Sequence, residues 1–212
     1  MNDSLPRTHL RHLARADIYR LLSAFFYQPE AAFVEEEVFA QLKTSMTKVH
    51  PQIVPDIVTL EAAFKGVGLD VLQLDYSRLF LGPFEILAKP YGSVYLDGEK
   101  VVMGDSTVNA IALYREGQFD IAEDFREMPD HIAVELKFLY LITFNMAQEP
   151  AAAEKKRLLL LKRKFLREHL GGWVIPYANA VCKGAKTDFY RQLADIVEQV
   201  VQEDLKELEE VT

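Results

Sequence analysis

The chain has 212 residues, half of them hydrophobic, and carries a formal net charge of −8 at pH 7. This composition excludes an intrinsically disordered protein and supplies enough apolar surface for a substantial core. The acidic balance argues against a nucleic-acid-binding protein, because contacts to phosphate need a basic face, and against an anionic membrane surface as partner.

The cysteine content and the N-terminal segment indicate the cellular compartment in which the protein is expected. Cys182 is the single cysteine, so the chain cannot form an internal disulfide. The first residues are polar and show no small-residue cleavage site after an apolar stretch, as a secretory signal would. No apolar run approaches the roughly 18 residues that predict a membrane span. We therefore expect a cytoplasmic protein that is not inserted into a membrane.

Helical spacing of apolar residues extends over most of the chain. Pro129 suits the first turn of a helix, Ser106 and Thr107 suit an N-cap, and the Gly171-Gly172 pair suggests a helix end. The predicted helices are residues 8–27, 31–50, 52–65, 69–81, 106–117, 129–148, 151–170, 173–182 and 187–208. The sequence thus predicts an all-α protein of roughly nine or ten helices, with residues 1–212 in one domain.

Residues 82–106 form a long irregular connection in this helical pattern. It is broken at Gly82-Pro83, Lys89-Pro90, Gly92, Asp97-Gly98 and Gly104. The stretch SVYLDGEKVVMG predicts either a small hairpin around Asp97-Gly98 or an irregular crossover between two helical lobes. Long connections of this kind are more often functional than filler. The same segment is a candidate hinge for domain swapping, so a monomer and a swapped dimer are both open.

Asp130, His131 and Glu135 form the first candidate site, at the start of a predicted long helix. His131 and Glu135 are i,i+4 neighbours, which could supply two metal ligands or an acid and a base. A zinc site needs at least three protein ligands, and the other histidines are scattered, with no cysteine pair. A structural helix cap and a polar contact point for a ligand or partner are the remaining interpretations.

Aromatic residues straddle the irregular connection. The set is Tyr76, Phe80, Phe84, Tyr91 and Tyr95. Tyr76 and Phe80 are four residues apart on a predicted helix, so inward packing explains Phe80 well. Tyr91 and Tyr95 adjoin a proline, a glycine and a serine, and amphipathic aromatics on irregular backbone are typical of recognition surfaces.

Charges are unevenly distributed along the chain. Residues 119–135 contain six acidic side chains against the single Arg126, and this segment could steer a basic peptide or simply be solvated. Arg7, Arg11 and Arg15 repeat at i,i+4 near the N-terminus and predict a solvated basic face. No P-loop, dinucleotide-binding glycine motif or G-x-S-x-G nucleophile motif is present in the sequence.

Four sequence blocks carry a resemblance to a known family. They are DYSRLFLGP at 75–83, KPYGSVYLDG at 89–98, VMGDST at 102–107 and MPDHIAVELKFLYLI at 128–142. Together with FLREHLGGWV at 165–174 and FYRQLADI at 189–196, they resemble the TorD/DmsD/NarJ family of cytoplasmic molybdoenzyme chaperones. The resemblance covers about residues 8–205, and the Gly92-Ser93 pair looks more like the DMSO-reductase-type (DmsD) branch.

This resemblance implies the all-α fold of these chaperones, with no catalytic reaction and no cofactor of its own. It also implies binding of the twin-arginine signal peptide of an apo-molybdoenzyme of the DMSO/TMAO-reductase type, which delays export until the molybdenum cofactor is inserted. Carried over by motif, the peptide-binding residues are Tyr76, Leu79, Phe80, Phe84, Pro90, Tyr91, Ser93, Tyr95, Asp130 and His131.

The charge pattern supports the same hypothesis independently. A twin-arginine peptide offers a cationic motif followed by an apolar stretch. An aromatic groove rimmed by Asp130 and Glu135 would suit both parts, with carboxylates pairing to the arginines. His131 would orient Asp130 or bond the peptide backbone.

Two other functions compete with this hypothesis. A helical metal-dependent hydrolase would use His131 and Glu135 as its metal or acid–base pair. A small-molecule-responsive regulator would need a helix-turn-helix with a basic recognition helix, and residues 28–50, which contain three consecutive glutamates, do not resemble one.

Overall fold

The computed structural model describes residues 7–82, 85–98, 102–120 and 127–210. These residues form helices and connections without a β-sheet, and the only extended pairing among them is an isolated antiparallel bridge between Tyr91 and His131. The predicted all-α fold is therefore confirmed. Within the described ranges, no helix has the length and apolarity needed to cross a bilayer.

Eleven α-helices are present in the described residues. They are α1 (Arg7–Ala24), α2 (Ala32–Glu35), α3 (Val38–Val49), α4 (Val54–Lys65), α5 (Leu69–Tyr76), α6 (Gly92–Leu96), α7 (Asp105–Glu116), α8 (Ile132–Ala147), α9 (Ala152–Phe165), α10 (Gly171–Gly184) and α11 (Asp188–Glu210). A short 3₁₀ turn, Pro51–Ile53, leads into α4. A π-helical turn, Ser77–Leu81, extends α5, and a second, Leu166–Leu170, joins α9 to α10.

Three helix predictions are wrong. Residues 31–50 form two helices, α2 and α3, because Glu37 between them has a left-handed backbone with φ of 55°. The helix predicted from Pro129 begins at Ile132, because His131 is its N-cap and accepts the amide N–H of Ala133 on Nδ1 at 3.1 Å. The Gly171-Gly172 pair does not end a helix. A Cβ on Gly171 would lie 2.2 Å from the Leu166 carbonyl oxygen, so glycine lets the backbone pack closely there and the helix continues.

Of the two alternatives for SVYLDGEKVVMG, the hairpin around Asp97-Gly98 is wrong, because its first arm is the short helix α6. Asp130 provides the physical reason. Its carbonyl oxygen accepts the Gly92 amide at 2.8 Å, and its carboxylate accepts the Ser93 amide at 2.9 Å. The first N–H groups of α6 are thus satisfied from outside the helix. At the other end, the Asp97 carboxylate accepts the Ser106 amide at 3.0 Å and ties α6 to α7.

The core is a continuous cluster of buried side chains running from Ala14 in α1 to Leu208 in α11. Helix α8 lies inside it, with Leu139 and Ile142 fully buried. Helix α11 buries the apolar face that the sequence predicts, including Phe189 and Leu193. Burying each such side chain contributes about 1.5–3 kcal/mol before the entropy of ordering the chain is subtracted.

A buried charge cluster joins the two ends of the chain. Asp204 of α11 is fully buried and accepts hydrogen bonds from the Tyr19 hydroxyl, from His50 Nε2 at 2.8 Å and from Lys162 Nζ at 3.1 Å. Arg15 Nε lies 3.2 Å from Oδ1 of Asp204, the oxygen that His50 also contacts. The prediction of a solvated face is therefore wrong for Arg15, which is 8% exposed.

Candidate functional site

The connection and the start of α8 meet in space, although 37 residues separate the bonded pair Ser93 and Asp130 in sequence. Residues 90–92 lie antiparallel to 130–132. The Ile132 amide donates to the Pro90 carbonyl at 2.9 Å, and the Gly92 amide donates to the Asp130 carbonyl at 2.8 Å. The KPYGSVYLDG and MPDHIAVELKFLYLI blocks therefore form one local structure.

Asp130 lies at the centre of this junction. Its side chain is fully buried, and Oδ2 accepts the Ser93 amide at the first turn of α6, where the helix dipole stabilises a negative charge. Its other oxygen, Oδ1, and the Ser93 hydroxyl have no hydrogen-bond partner among the described residues. Asp130 therefore holds α6 in place from the inside.

His131 is 3% exposed and is neutral at pH 7. Burial lowers its pKa to about 4 and outweighs the opposing effect of Asp130. Because Nδ1 accepts the Ala133 amide, the proton of the neutral ring is on Nε2, which lies 3.4 Å from Oε2 of Glu127. The ring is stacked with Tyr27 at 6.2 Å between centroids and meets the Tyr91 ring in a T-shape at 5.5 Å.

Glu135 is fully buried one turn further along α8. Its Oε2 accepts the Trp173 indole N–H at 3.1 Å, and its Oε1 lies 2.8 Å from His169 Nε2. Burial raises the pKa of Glu135, while His169 and Trp173 act in the opposite direction. Burial alone would lower the pKa of His169, but the facing Glu135 carboxylate outweighs it and raises the pKa. The predicted position of Asp130 and Glu135 on an open rim is therefore wrong, since both carboxylates face inward.

The first motif contributes mainly core residues. Leu79 and Phe80 are buried, and the Phe80 ring packs against Tyr190 at 5.5 Å and Tyr76 at 5.3 Å. Inward packing is thus confirmed for Phe80, and Tyr76 itself is only 8% exposed. Phe84 lies outside the described residues.

Tyr95 and Pro90 also lie mostly inside. The Tyr95 ring is half-buried and stacks on Trp173 at 5.7 Å with an interplanar angle of 13°. Pro90 is buried beneath the bridge to α8. Of the predicted site residues, Tyr91 is the aromatic side chain that combines partial exposure with contact to His131.

The accessible side of the site also contains two residues that are not among the predicted peptide-binding residues. Tyr27, just after α1, is 39% exposed, and the Glu127 side chain is 35% exposed. Burial raises the pKa of Tyr27, Tyr76 and Tyr91, and the nearby Glu127 carboxylate raises each further. The Glu127 carboxylate therefore lies close enough to all three phenol groups to act on them electrostatically.

The sequence gives a reason to expect Glu127 in the site but none to expect Tyr27. Glu127 belongs to the predicted acidic segment, so that segment does contribute one accessible carboxylate. Residues 121–126, including Glu123 and Asp124, lie outside the described residues. Tyr27 follows two buried phenylalanines and precedes Pro29, and no periodic pattern relates it to His131.

The geometry gives no support to a metal or acid–base pair. His131 Nδ1 is occupied by the Ala133 amide, whereas the Glu135 oxygens face Trp173 and His169, so the two side chains do not converge. Within the described ranges, no group of three His, Cys, Asp or Glu side chains could hold a metal ion. A half-exposed carboxylate beside aromatic rings is instead suited to receive a cationic side chain.

Comparison with known proteins gives consistent results. The family model described as the nitrate reductase delta subunit matches residues 40–179. The chain is 30% identical over 202 residues to the Haemophilus influenzae protein named Probable Tat proofreading chaperone DmsD, covering 90% of each chain. It is 28% identical over 178 residues to the Tat proofreading chaperone DmsD of Salmonella typhi, covering 84% of this chain and 82% of the relative.

A more distant chaperone and one crystal structure extend the comparison. The chaperone protein TorD of Shewanella loihica is 25% identical over 211 residues, covering 92% of this chain and 93% of the relative. A crystal structure described as a redox enzyme maturation protein from Archaeoglobus fulgidus superposes with a TM-score of 0.51 at 20% identity, covering 95% of this chain and 97% of the other. That likeness shows a shared fold. The hydrolase alternative finds no support in these relatives.

Proposed function

The chain belongs to the TorD/DmsD/NarJ family, and from this premise we propose that it binds the twin-arginine signal peptide of an apo-molybdoenzyme. Its relatives are Tat proofreading and maturation chaperones, and the chain is a system-specific chaperone whose partner is a redox enzyme precursor. In our proposal the client is a reductase of the DMSO/TMAO type, held in the cytoplasm until its cofactor is inserted. The chaperone itself catalyses no reaction.

The observation that carries the proposed site is the position of Glu127. Its carboxylate is partly exposed and lies 3.4 Å from His131 Nε2, whose ring contacts Tyr27 and Tyr91, and its charge raises the pKa of Tyr27, Tyr76 and Tyr91. A guanidinium group of the peptide would pair with this carboxylate and lie against the faces of Tyr27 and Tyr91. Arginine suits such a site better than lysine, because its planar fork both pairs with a carboxylate and stacks on rings.

The remaining predicted residues have supporting roles in this proposal. Asp130 holds the N-terminus of α6 and so places Tyr91, and His131 presents its Nε2–H toward Glu127. Glu135 fixes Trp173, on which Tyr95 stacks. In the proposal the buried side chains Tyr76, Leu79 and Phe80 form an apolar floor under the site. Pro90 and Ser93 belong to its wall, and Phe84 is proposed from the sequence motif alone.

Calorimetric titration tests this proposal. The purified protein is titrated with twin-arginine signal peptides encoded near its gene, and with versions in which both arginines are alanine. We expect one peptide to bind with micromolar or tighter affinity and its alanine version to bind at least tenfold more weakly, which is about 1.4 kcal/mol.

A matched pair of protein variants locates the contact. Glu127→Gln should weaken the arginine peptide but not the alanine peptide, whereas Glu209→Gln, at an exposed position near the end of α11, should change neither. Binding that is insensitive to the arginine pair would reject the proposed recognition.

A further inference from the structure

Helix α5 and its π-helical extension carry an apolar stripe on their outer face. It consists of Val71, Leu74 and Leu81, which are 44%, 64% and 59% exposed, and Val67, in the bend just before α5, adds a side chain that is 38% exposed. Val71 and Leu74 are three residues apart in α5 and therefore lie on the same side of it, and Leu81 ends the π-helical turn that follows. The opposite side is also apolar but fully inside, with Leu72 and Leu79 at 0% exposure. A surface helix of a globular protein normally has a polar outer face, so this one is atypical.

Two open grooves run beside the stripe. One, of about 270 Å³, is lined by Val71, Leu74, Asp75, Arg78, Lys186 and Thr187. The other, of about 390 Å³, is lined mainly by apolar side chains, including Val34, Phe64, Val67 and Leu72. A ridge of side chains between two grooves is the surface that packs against another helix, because ridges of one helix fit the grooves of its partner.

The charges around the first groove favour one kind of partner. Asp75 is 2% exposed and its carboxylate is used internally, since it accepts the Lys186 and Thr187 amides at 2.9 and 2.8 Å and the Arg78 guanidinium at 2.9 Å. Lys186 is exposed, and its ammonium group has no acidic partner among the residues the structure describes.

The nearby carboxylates have partners of their own. The exposed Asp188, two residues after Lys186, pairs with Arg191 at 2.7 Å, and Asp70 lies in the first turn of α5. Because Asp75 and Asp188 are each paired with an arginine, the Lys186 ammonium gives this end of the stripe an excess positive charge.

We propose that the α5 stripe docks an acidic amphipathic helix of a partner protein. The apolar stripe would bury the partner's apolar face, and the basic end would pair with its acidic residues. A twin-arginine peptide does not fit this surface, because its cationic motif would meet Arg78 and Lys186. The inference is independent of the signal-peptide site at Glu127.

Designed peptides test the inference. The probe is an amphipathic helix of about 20 residues, long enough to be helical alone, with leucines spaced three and four apart and flanking glutamates. Its counterpart carries lysines in place of the glutamates. We expect the acidic peptide to bind at least tenfold more tightly than the basic one by fluorescence titration, with Leu74→Asp and Lys186→Glu each weakening it about tenfold.

Matched variants on another helix serve as controls. Leu160 of α9 is 53% exposed and Lys156 is exposed, so Leu160→Asp and Lys156→Glu make the same changes away from the stripe and should leave binding unchanged. Equal affinity for both peptides, or equal losses in the control variants, would overturn the proposal. So would a Leu74→Asp variant that loses a twin-arginine peptide as strongly as Glu127→Gln does, since the stripe would then be part of the signal-peptide site. Circular dichroism and thermal midpoints confirm that each variant is folded.

Discussion

Trp173 donates its indole N–H to Glu135 at 3.1 Å, and both side chains are fully buried beneath α6. Gly92 lies against this pair. A Cβ at that position would be 3.0 Å from Trp173 Nε1 and 3.1 Å from Glu135 Oε1. The glycine of the second motif is therefore required by close packing, and it sits next to the residue, Tyr91, that we assign to the peptide site.

Gly92→Ala should destabilise the protein by about 1–3 kcal/mol, because the added methyl group overpacks a rigid, hydrogen-bonded pair. Urea denaturation measures the change. Gly172→Ala is the matched control, since its Cβ would meet only the flexible end of Leu96 at 3.2 Å. Because alanine also has the higher helix propensity, we expect this variant to be neutral or slightly stabilised. Equal losses in both variants would show that Gly92 has no special packing role.

His131 should make stability depend on pH below neutrality. Its pKa is lowered to about 4 in the folded protein, whereas an unfolded histidine titrates near 6.5. Between these values the unfolded chain binds the extra proton, so stability falls as pH falls. Asparagine is a good N-cap and does not titrate. Between pH 6.5 and pH 4, the free energy of unfolding of His131→Asn should therefore fall by roughly 3 kcal/mol less than that of wild type. Urea denaturation of both proteins at several pH values in this range measures the difference. An equal fall in the free energy of unfolding for both proteins would contradict the prediction.

Asp204→Asn should cost about 3–5 kcal/mol at pH 7, because it leaves Lys162 and Arg15 buried without their carboxylate. Glu207→Gln is the control. Its side chain is 30% exposed, so the loss of its ion pairs should cost about 1 kcal/mol or less.

Asp204 should also make the stability of the folded protein depend on pH in the acid range. Burial alone would raise the pKa of Asp204, but Lys162, Arg15 and His50 outweigh it and hold the pKa well below the ordinary 3.8. The stabilisation is therefore present above pH 3.8 and is lost as pH falls further. Wild type should lose stability over this acid range more steeply than Asp204→Asn. A variant as acid-sensitive as wild type would refute this role.

Alanine substitutions at Tyr91 and at Tyr95, made one at a time, should have different effects. Tyr91→Ala should weaken the signal peptide by about tenfold with a small change in thermal midpoint, because its ring is half-buried beside His131. Tyr95→Ala should mainly destabilise the protein, since it removes the ring stacked on Trp173. Calorimetric titration and thermal denaturation of both variants provide the comparison. A Tyr91→Ala variant with unchanged affinity would remove that residue from the site.

The sequence predicts the helical architecture well because apolar periodicity reflects burial directly, as on the face of α11 that carries Phe189 and Leu193. The same pattern cannot reveal partners across the fold. Glu135 resembles a solvated helix residue until His169 and Trp173 face it, and the latter is 38 positions away. Tyr27 is likewise joined to His131 only by tertiary structure.

Two helix ends are predicted wrongly from the sequence for a related reason. Gly171 matches a stop signal locally, yet it allows the backbone to pass close to the Leu166 carbonyl, so the helix continues. Pro129 matches a helix start, but the backbone at Asp130 is already bonded to Gly92, which delays α8 to Ile132.

A double-mutant cycle between Glu127 and the signal peptide tests the central claim most directly. Calorimetry gives six affinities: wild type and Glu127→Gln, each with the native peptide, with a peptide whose first arginine is alanine and with a peptide whose second arginine is alanine. We predict a coupling of about 1–2 kcal/mol for one of the two arginines, less than a fully buried pair would give because Glu127 is partly exposed. Additive effects for both arginines would show that Glu127 does not contact the twin-arginine motif.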